Sequence, residues 1–554
     1  MKDKLIPLYQ QSFRANWDCP AVSDYTSGIT LTYGELGRRI VFTHSLFRET
    51  GINPGDKVAL IGKNSVSWIA VYMSALTYGA VIVPILQDFN PADAQHIINH
   101  SGAQMLFVED HIWEHLEHES LPNIKLAMSL DTAEVLSENR KLMRKSVEKV
   151  LKELPLKFDK EHRGGFGPED LIFNVREADD VAELNYTSGT TGFSKGVMLT
   201  YLNLWGNVDF GVNANIYFRG ARVLSFLPLA HAYGCTFDLL VPLATGTHIT
   251  VLGKMPTPAV LLKAFKAVRP TLILCVPLIL EKIYRRAIAP ALEKGSVKRM
   301  LAFPVTRTIV RRRIRNKLTE LFGGEFRQVI VGGAPLNPEV ENFLLSVKFP
   351  VTVGYGMTEC GPLISYTPAG EFIPGSAGRT LPGIMESRIE SPDPAHIPGE
   401  ILVKGMNVMK GYYKNQAATS AVLDADGWLH TGDMGTRTAD GTLFLRGRNK
   451  TMILSASGQN IYPEEIEAKL NNLPYVGESL VVERGKHLVA IVYPDYEAMD
   501  KAGLTAAMLP PVMEKVRERL NTLVAPYERI DRIQLHPVEF EKTPKRSIKR
   551  FLYS

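Results

Sequence analysis

Apolar positions along the chain follow two rhythms. Short unbroken runs, such as Val58-Ala59-Leu60-Ile61, Ala80-Val81-Ile82-Val83 and Leu272-Ile273-Leu274-Cys275-Val276, are bounded by Gly, Pro or polar residues and read as strands buried on both faces. Between them lie stretches with apolar residues at helical spacing, including 65–76 and the amphipathic 259–268. Thr30-Leu31-Thr32 reads as a short strand entering a helix, with Thr32 as its N-cap. This alternation predicts an α/β fold with a largely parallel sheet.

The rhythm breaks in two places. From 112 to 166 the chain is charged and less periodic, with a helix predicted at 132–151. Beyond Pro374 glycine turns and short β runs take over, as in Gly399-Glu400-Ile401-Leu402-Val403, which predicts a β-rich subdomain. The polar stretch 445–451 is the linker candidate, and the remainder carries enough strands and helices for a small α+β domain.

Composition narrows the class. A chain of 554 residues exceeds what one core usually supports, so two or more domains are expected. Net charge +5 is small against 63 basic and 58 acidic side chains, which gives no general case for nucleic acid. Cys19, Cys235, Cys275 and Cys360 are scattered without metal-ligand spacing, so a reduced, cytoplasmic protein is expected. The first residues lack a signal-peptide core and no apolar run is long enough to span a bilayer, which leaves peripheral association with a membrane surface open. A basic helix at 307–317, with Arg311, Arg312, Arg313 and Arg315, reads either as a solvated face or as a contact for anionic lipid or the phosphates of a cofactor.

The chemistry concentrates first in Asn185-Tyr186-Thr187-Ser188-Gly189-Thr190-Thr191-Gly192-Phe193-Ser194-Lys195-Gly196-Val197. Glycines let backbone amides approach an anion, hydroxyls donate hydrogen bonds and Lys195 adds charge, so the stretch has the composition of a phosphate-gripping loop. It is not a Walker A loop, because Lys195 is followed by Gly196 rather than Ser or Thr. The plain alternative for the stretch on its own is a flexible surface turn. The strands ending in Gly332-Gly333-Ala334-Pro335 and Gly354-Tyr355-Gly356-Met357-Thr358-Glu359 offer glycine-bearing loops at carboxyl ends, where open α/β sheets bind ligands.

Four further motifs accompany the loop: Tyr355-Gly356-Met357-Thr358-Glu359, Gly427-Trp428-Leu429-His430-Thr431-Gly432-Asp433, Gly447-Arg448-Asn449-Lys450, and Ser457-Gly458-Gln459-Asn460-Ile461-Tyr462-Pro463-Glu464-Glu465-Ile466-Glu467. In this order they resemble the adenylate-forming superfamily, from about Leu31 to the C-terminus. Leu227-Pro228-Leu229-Ala230-His231-Ala232-Tyr233 and the stretch after Val276 look most like the long-chain fatty acyl-CoA synthetases. The resemblance implies a large N-terminal domain, 1–447, of mixed and parallel sheets wrapped by helices with a β-rich subdomain. A hinge at 448–452 and a small mobile α+β domain at 453–554 would follow. It implies ATP, Mg²⁺, a fatty acid and coenzyme A as reaction partners, with an acyl carrier protein as the alternative thiol; a non-catalytic acyl or nucleotide sensor is a further alternative, motivated solely by Ser547.

Residue by residue, the resemblance places Thr187, Ser188, Gly189, Thr190, Thr191 and Lys195 around the β- and γ-phosphates, with Thr187 also beside the metal. Thr358 would contact the α-phosphate and Glu359 would hold Mg²⁺, a hard cation that prefers carboxylate oxygen. Gly333, Ala334 and Pro335 on one side and Gly354, Tyr355 and Gly356 on the other would sandwich the adenine, Tyr355 offering a flat face. Asp433 and Arg448 would contact the ribose, and His231 would line the acyl entrance. Lys450 would be the hinge position and Gly458 would line the pantetheine channel.

Two departures stand out. Thr451 occupies a usually acidic position. The family's C-terminal Thr-x-x-Gly-Lys-Ile pattern is here Thr543-Pro544-Lys545-Arg546-Ser547-Ile548, so Ser547 falls where the catalytic lysine is expected. Lys545 is the first choice for its substitute, ahead of Arg546 and Lys549; a solvated basic tail is the plain alternative.

Overall fold

The computed structural model describes residues 1–143, 145–187, 194–292, 295–454, 459–485, 487–543 and 547–553. Its largest sheet has eight strands. The four inner strands Val81–Ile85, Lys57–Ile61, Met105–Val108 and Leu126–Ser129 run parallel, with Val181–Thr187 parallel beside the first. The edges are antiparallel, Lys195–Thr200 and Gly411–Tyr412 on one side and Val135–Glu138 on the other. A second sheet aligns Ile273–Cys275, Val329–Val331 and Val351–Gly356 in parallel before two antiparallel strands. Four antiparallel strands between Met385 and Arg448 form the expected β-rich part. The α/β expectation therefore holds.

Local chemistry explains the elements. Thr32 caps the helix Tyr33–Thr50 in a reciprocal box with Glu35. The helix Val66–Tyr78 starts at Ser65, whose hydroxyl accepts from the Trp68 amide, and stops at Gly79, whose φ of 91° a side chain would resist. It is buried on nearly every side, which is why its sequence reads as apolar rather than amphipathic.

Two expectations fail. The segment 132–151 is not one helix. Leu126–Ser129 turns at Ala133, at a φ of 61°, into the antiparallel strand Val135–Glu138, and the helix Val147–Glu161 begins only at Ser146. The Ser129 hydroxyl accepts from the amides of Asp131 and Thr132, so the turn and the sheet edge override the local helix preference. The linker candidate 445–451 is also shorter than expected. Leu443–Arg448 is a full strand paired with Leu429–Arg437, and only Asn449–Thr451 forms a turn.

One hydrophobic core runs through the chain from Leu5 to Leu443, and a separate one gathers residues from Ile461 to Ile530. The second belongs to a three-stranded sheet, Val476–Arg484, His487–Pro494 and Arg532–Leu535. Side chains alternate across it. Val481, Ala490 and Val492 face the helices Pro463–Leu470 and Leu509–Asn521, while Leu480, Val482, Val489 and Ile491 face Phe540, Ile548 and Tyr553 of the C-terminal tail. Among the described residues, no helix is long and apolar enough to cross a membrane.

Candidate active site

Thr187 and Lys195 sit opposite each other at the end of the Val181–Thr187 and Lys195–Thr200 hairpin. The expected phosphate contacts Ser188, Gly189, Thr190 and Thr191 lie outside the described residues, as do Gly458 and Lys545. The Gly411–Tyr412 strand pairs on the far side of Lys195–Thr200 and brings a tyrosine alongside. Lys195 Nζ lies 4.8 Å from the centre of the Tyr412 ring, and the Tyr412 hydroxyl donates to Glu359 Oε1 at 2.8 Å. Burial, reinforced by the Glu359 carboxylate, pushes the Tyr412 phenol well above its ordinary range, so it remains a donor.

Glu359 and Thr358 belong to a single 3₁₀ turn after the strand Val351–Gly356. Gly356 has no room for a side chain, since a Cβ would stand 2.1 Å from the Pro362 carbonyl oxygen. Thr358 is buried and Glu359 is half-buried. With Oε1 taken by Tyr412, no donor among the described residues reaches Glu359 Oε2. A half-buried carboxylate oxygen beside a lysine and a threonine suits a hard divalent cation carried with phosphate.

A second group lies next to the first. Asp433, on the strand Leu429–Arg437, follows Gly432, whose φ is 72°. It is shared between the Tyr355 hydroxyl at 2.7 Å and Arg448 Nε at 3.0 Å. Burial raises the Asp433 carboxyl, while Arg448 and the Tyr355 hydrogen bond pull it back down. In return Asp433 raises the Arg448 guanidinium. Both Asp433 and Arg448 feel the charge of Glu359, which ties the two groups into one site. Tyr355 thus does more than offer a flat face, because its hydroxyl fixes a buried carboxylate.

Gly332 abuts the Tyr233 ring, which a Cβ would approach to 3.0 Å, and Gly333 adopts a φ of 86° next to Val276. Ala334 and Pro335 follow on the same loop at the carboxyl end of Val329–Val331, beside the Gly354-bearing strand. The Tyr233 hydroxyl donates to the Ile330 carbonyl at 3.1 Å and so pins the His231 loop against this strand. His231 caps the turn Ala232–Gly234, its Nδ1 accepting from the Tyr233 amide. Asn64 clamps the approach to it through the Leu227 carbonyl and the Leu229 amide, and Asn185 donates to the Ala230 carbonyl.

Lys450 is exposed in the Asn449–Thr451 turn. Thr451, at the position where an acidic residue was expected, donates to Glu464 Oε1 at 2.7 Å, so it engages a carboxylate instead of supplying one. In the tail, the Thr543 amide donates to the Ser547 carbonyl and the Ser547 amide to the Thr543 hydroxyl, and Ser547 is exposed. Lys549 pairs with Glu541 at 3.4 Å, and Arg550 is held by Glu467 and Glu464.

Tyr412 and Glu464 are the residues that reading the sequence missed. Tyr412 lies 53 positions from Glu359, and only its flanking Gly411 hinted at an ordered turn.

The Lys195–Tyr412–Glu359 group and the Tyr355–Asp433–Arg448 group meet around the strand Val351–Gly356, the arrangement expected of an adenylate-forming enzyme. The chain matches the family model described as AMP-binding enzyme over residues 9–413 and belongs to that family. It is 31% identical to the peroxisomal long chain acyl-CoA synthetase 6 of Arabidopsis thaliana, over 85% of this chain and 69% of that protein. It is 32% identical to a feruloyl-CoA synthase of an Amycolatopsis species, over 85% of this chain and 84% of that one. The fold matches the crystal structure of ATP-bound MatB from Rhodopseudomonas palustris with a TM-score of 0.76 at 23% identity, covering 100% of this chain and 98% of that one.

Proposed function

We propose that the protein is an AMP-forming ligase that activates a fatty acid with ATP and passes the acyl group to coenzyme A. The observation that carries this reading is the junction of the two groups: Lys195, Tyr412 and Glu359 beside Tyr355, Asp433 and Arg448. In the first step a carboxylate oxygen bonds to the α-phosphorus of ATP and the bond to pyrophosphate breaks. In the second a thiolate sulfur bonds to the acyl carbon and AMP leaves.

Both reactants of the first step are anionic, so cations and amide donors must offset the charge that gathers there. Lys195 and the 188–191 hydroxyls and amides serve the leaving pyrophosphate, and Thr358 the α-phosphate. Glu359 and Thr187 would hold Mg²⁺, which supplies Lewis-acid neutralisation of phosphate charge. Asp433 accepts from the ribose hydroxyls, with Arg448 orienting it. The adenine lies between the 333–335 and 354–356 loops, and His231 borders the acyl entrance. Residues 1–447 form the adenylating domain, and 453–554 swing about 448–452, at Lys450, to bring Gly458 to the thiol. Lys545 takes the role that Ser547 cannot fill.

Pyrophosphate release over a panel of acids tests the activity. It should require a fatty acid and Mg²⁺; a response to aromatic acids alone would overturn the acyl class, a comparison made pointed by the feruloyl-CoA synthase relative. Offering coenzyme A beside a phosphopantetheinylated carrier protein decides the thiol. Lys545→Ala should slow adenylate formation by two or more orders of magnitude yet leave thioester formation from supplied acyl-adenylate intact, the pattern expected of a group acting on the first transition state. Unchanged adenylation would remove Lys545 from the mechanism.

A further inference from the structure

Charge is distributed very unevenly along this chain. Residues 282–317 contain twelve Lys and Arg against one Glu, a net +11 where the whole chain carries +5, so everything else sums to −6. The structure folds most of this stretch into two consecutive helices, Gly295–Ala302 and Pro304–Leu321. The second is seated by Val310 and Leu318, 7% and 2% exposed, with Ile314 packed beside them. Arg312 points away from that seat, Arg313 and Lys317 flank it, and all three are exposed, as is Arg307 near the start of the helix. Among the described residues none of these four is paired with a carboxylate; Glu325, just beyond the helix, is already held by Arg222 and Arg269.

Apolar side chains stand exposed among the cations. Phe303 is 66% exposed, Ile309 51% and Met300 39%. An aromatic and two long aliphatic groups in water are poorly explained by a merely solvated face, and a polyanion such as nucleic acid would give Ile309 and Met300 nothing to bury against. An interface with anionic headgroups above and acyl chains below satisfies both kinds of side chain.

We propose that the 295–321 helical pair is a docking surface for an anionic lipid bilayer. Arg307, Arg312, Arg313 and Lys317 meet the headgroups, and Phe303, Ile309 and Met300 enter the acyl boundary. The pair continues from the helix Pro277–Ile283, which starts beside Gly333 in the candidate site. Docking would bring that site close to a membrane-dissolved acid. This purpose rests on the fatty-acid reading above, whereas binding to lipid does not, and it is measured with no substrate present.

Sedimentation of the full chain with phosphatidylcholine vesicles, with and without phosphatidylglycerol, tests the proposal. Binding should need phosphatidylglycerol and weaken with salt. The variant Arg307→Gln/Arg312→Gln/Arg313→Gln should bind roughly a hundredfold more weakly, at about a fivefold loss per cation. Phe303→Ser/Ile309→Ser should also weaken binding, while keeping its salt dependence. Pyrophosphate release with a water-soluble short acid should be unchanged in both variants, which shows that they are folded. Absence of binding to anionic vesicles, or undiminished binding by the charge variant, would overturn the proposal. So would binding indifferent to the Phe303 and Ile309 changes and equally competed by DNA or polyglutamate, which would mark a general polyanion surface.

Discussion

Asp433 shows how a single residue is prepared for its task. It is 7% exposed, and a buried carboxylate is costly unless its oxygens are matched. Tyr355 and Arg448 take one oxygen each. Tyr355→Phe removes a hydrogen bond to a charged group, worth about 1.5–3 kcal/mol, so AMP affinity should fall about tenfold or more. The carboxyl, already raised by burial, should rise further, and the acid limb of AMP binding should move to higher pH, because the ionised form accepts the ribose hydroxyls. Calorimetric titration across pH would show neither change if the hydroxyl were incidental. His44 offers a stability counterpart far from the site. Its Nε2 lies 3.1 Å from the Ser74 carbonyl and 3.0 Å from the Thr77 hydroxyl, and burial lowers its pKa to about 3. Below about pH 6.5 the unfolded chain binds a proton at this residue that the folded one refuses, so stability is lost as pH falls towards 3. By pH 4 the loss is on the order of 3 kcal/mol, and His44→Gln should flatten that limb in denaturant titrations.

At the scale of elements, the C-terminal sheet is closed by a tail that the sequence presents as little more than a basic run. Phe540 is 3% exposed and packs with Ile548 and Tyr553 on the face opposite the helices. Phe540→Ala should cost about 3–5 kcal/mol. The loss should fall on the unit that contains Val476–Arg484, which hydrogen exchange would report as protection lost there but kept in Val66–Tyr78; uniform loss across the chain would argue against a separate core. What could be read of these elements in advance follows a physical divide. Strands buried on both faces, such as Lys57–Ile61, and capped helices, such as Tyr33–Thr50, carry their signals locally. The hairpin at 126–138 and the strand Leu443–Arg448 do not, because their partners, not their own residues, decide them.

For the molecule as a whole, the order of motifs was enough to expect a phosphate end and a ribose end in one cleft. The joints between them were not legible. Tyr412 reaching Glu359 and Tyr355 reaching Asp433 are products of strand order, which no local pattern encodes. The same holds where the two cores meet. There Arg285 donates to the Asn471 carbonyl at 2.9 Å, Asn337 bonds Asn472, and Arg446 lies 3.5 Å from Glu465. Among the described residues these contacts are ordinary ones, worth about 1 kcal/mol each, so they would not prevent the exchange of arrangements that the proposed swing requires. Arg285→Ala/Asn472→Ala removes two of them and should shift the balance between arrangements by roughly tenfold to thirtyfold. If the C-terminal unit swings between the two half-reactions, pyrophosphate release and thioester formation from supplied adenylate should move in opposite directions in this variant. Two rates that fall together, or neither changing, would mean that these contacts only hold the structure and that the swing has no part in the cycle.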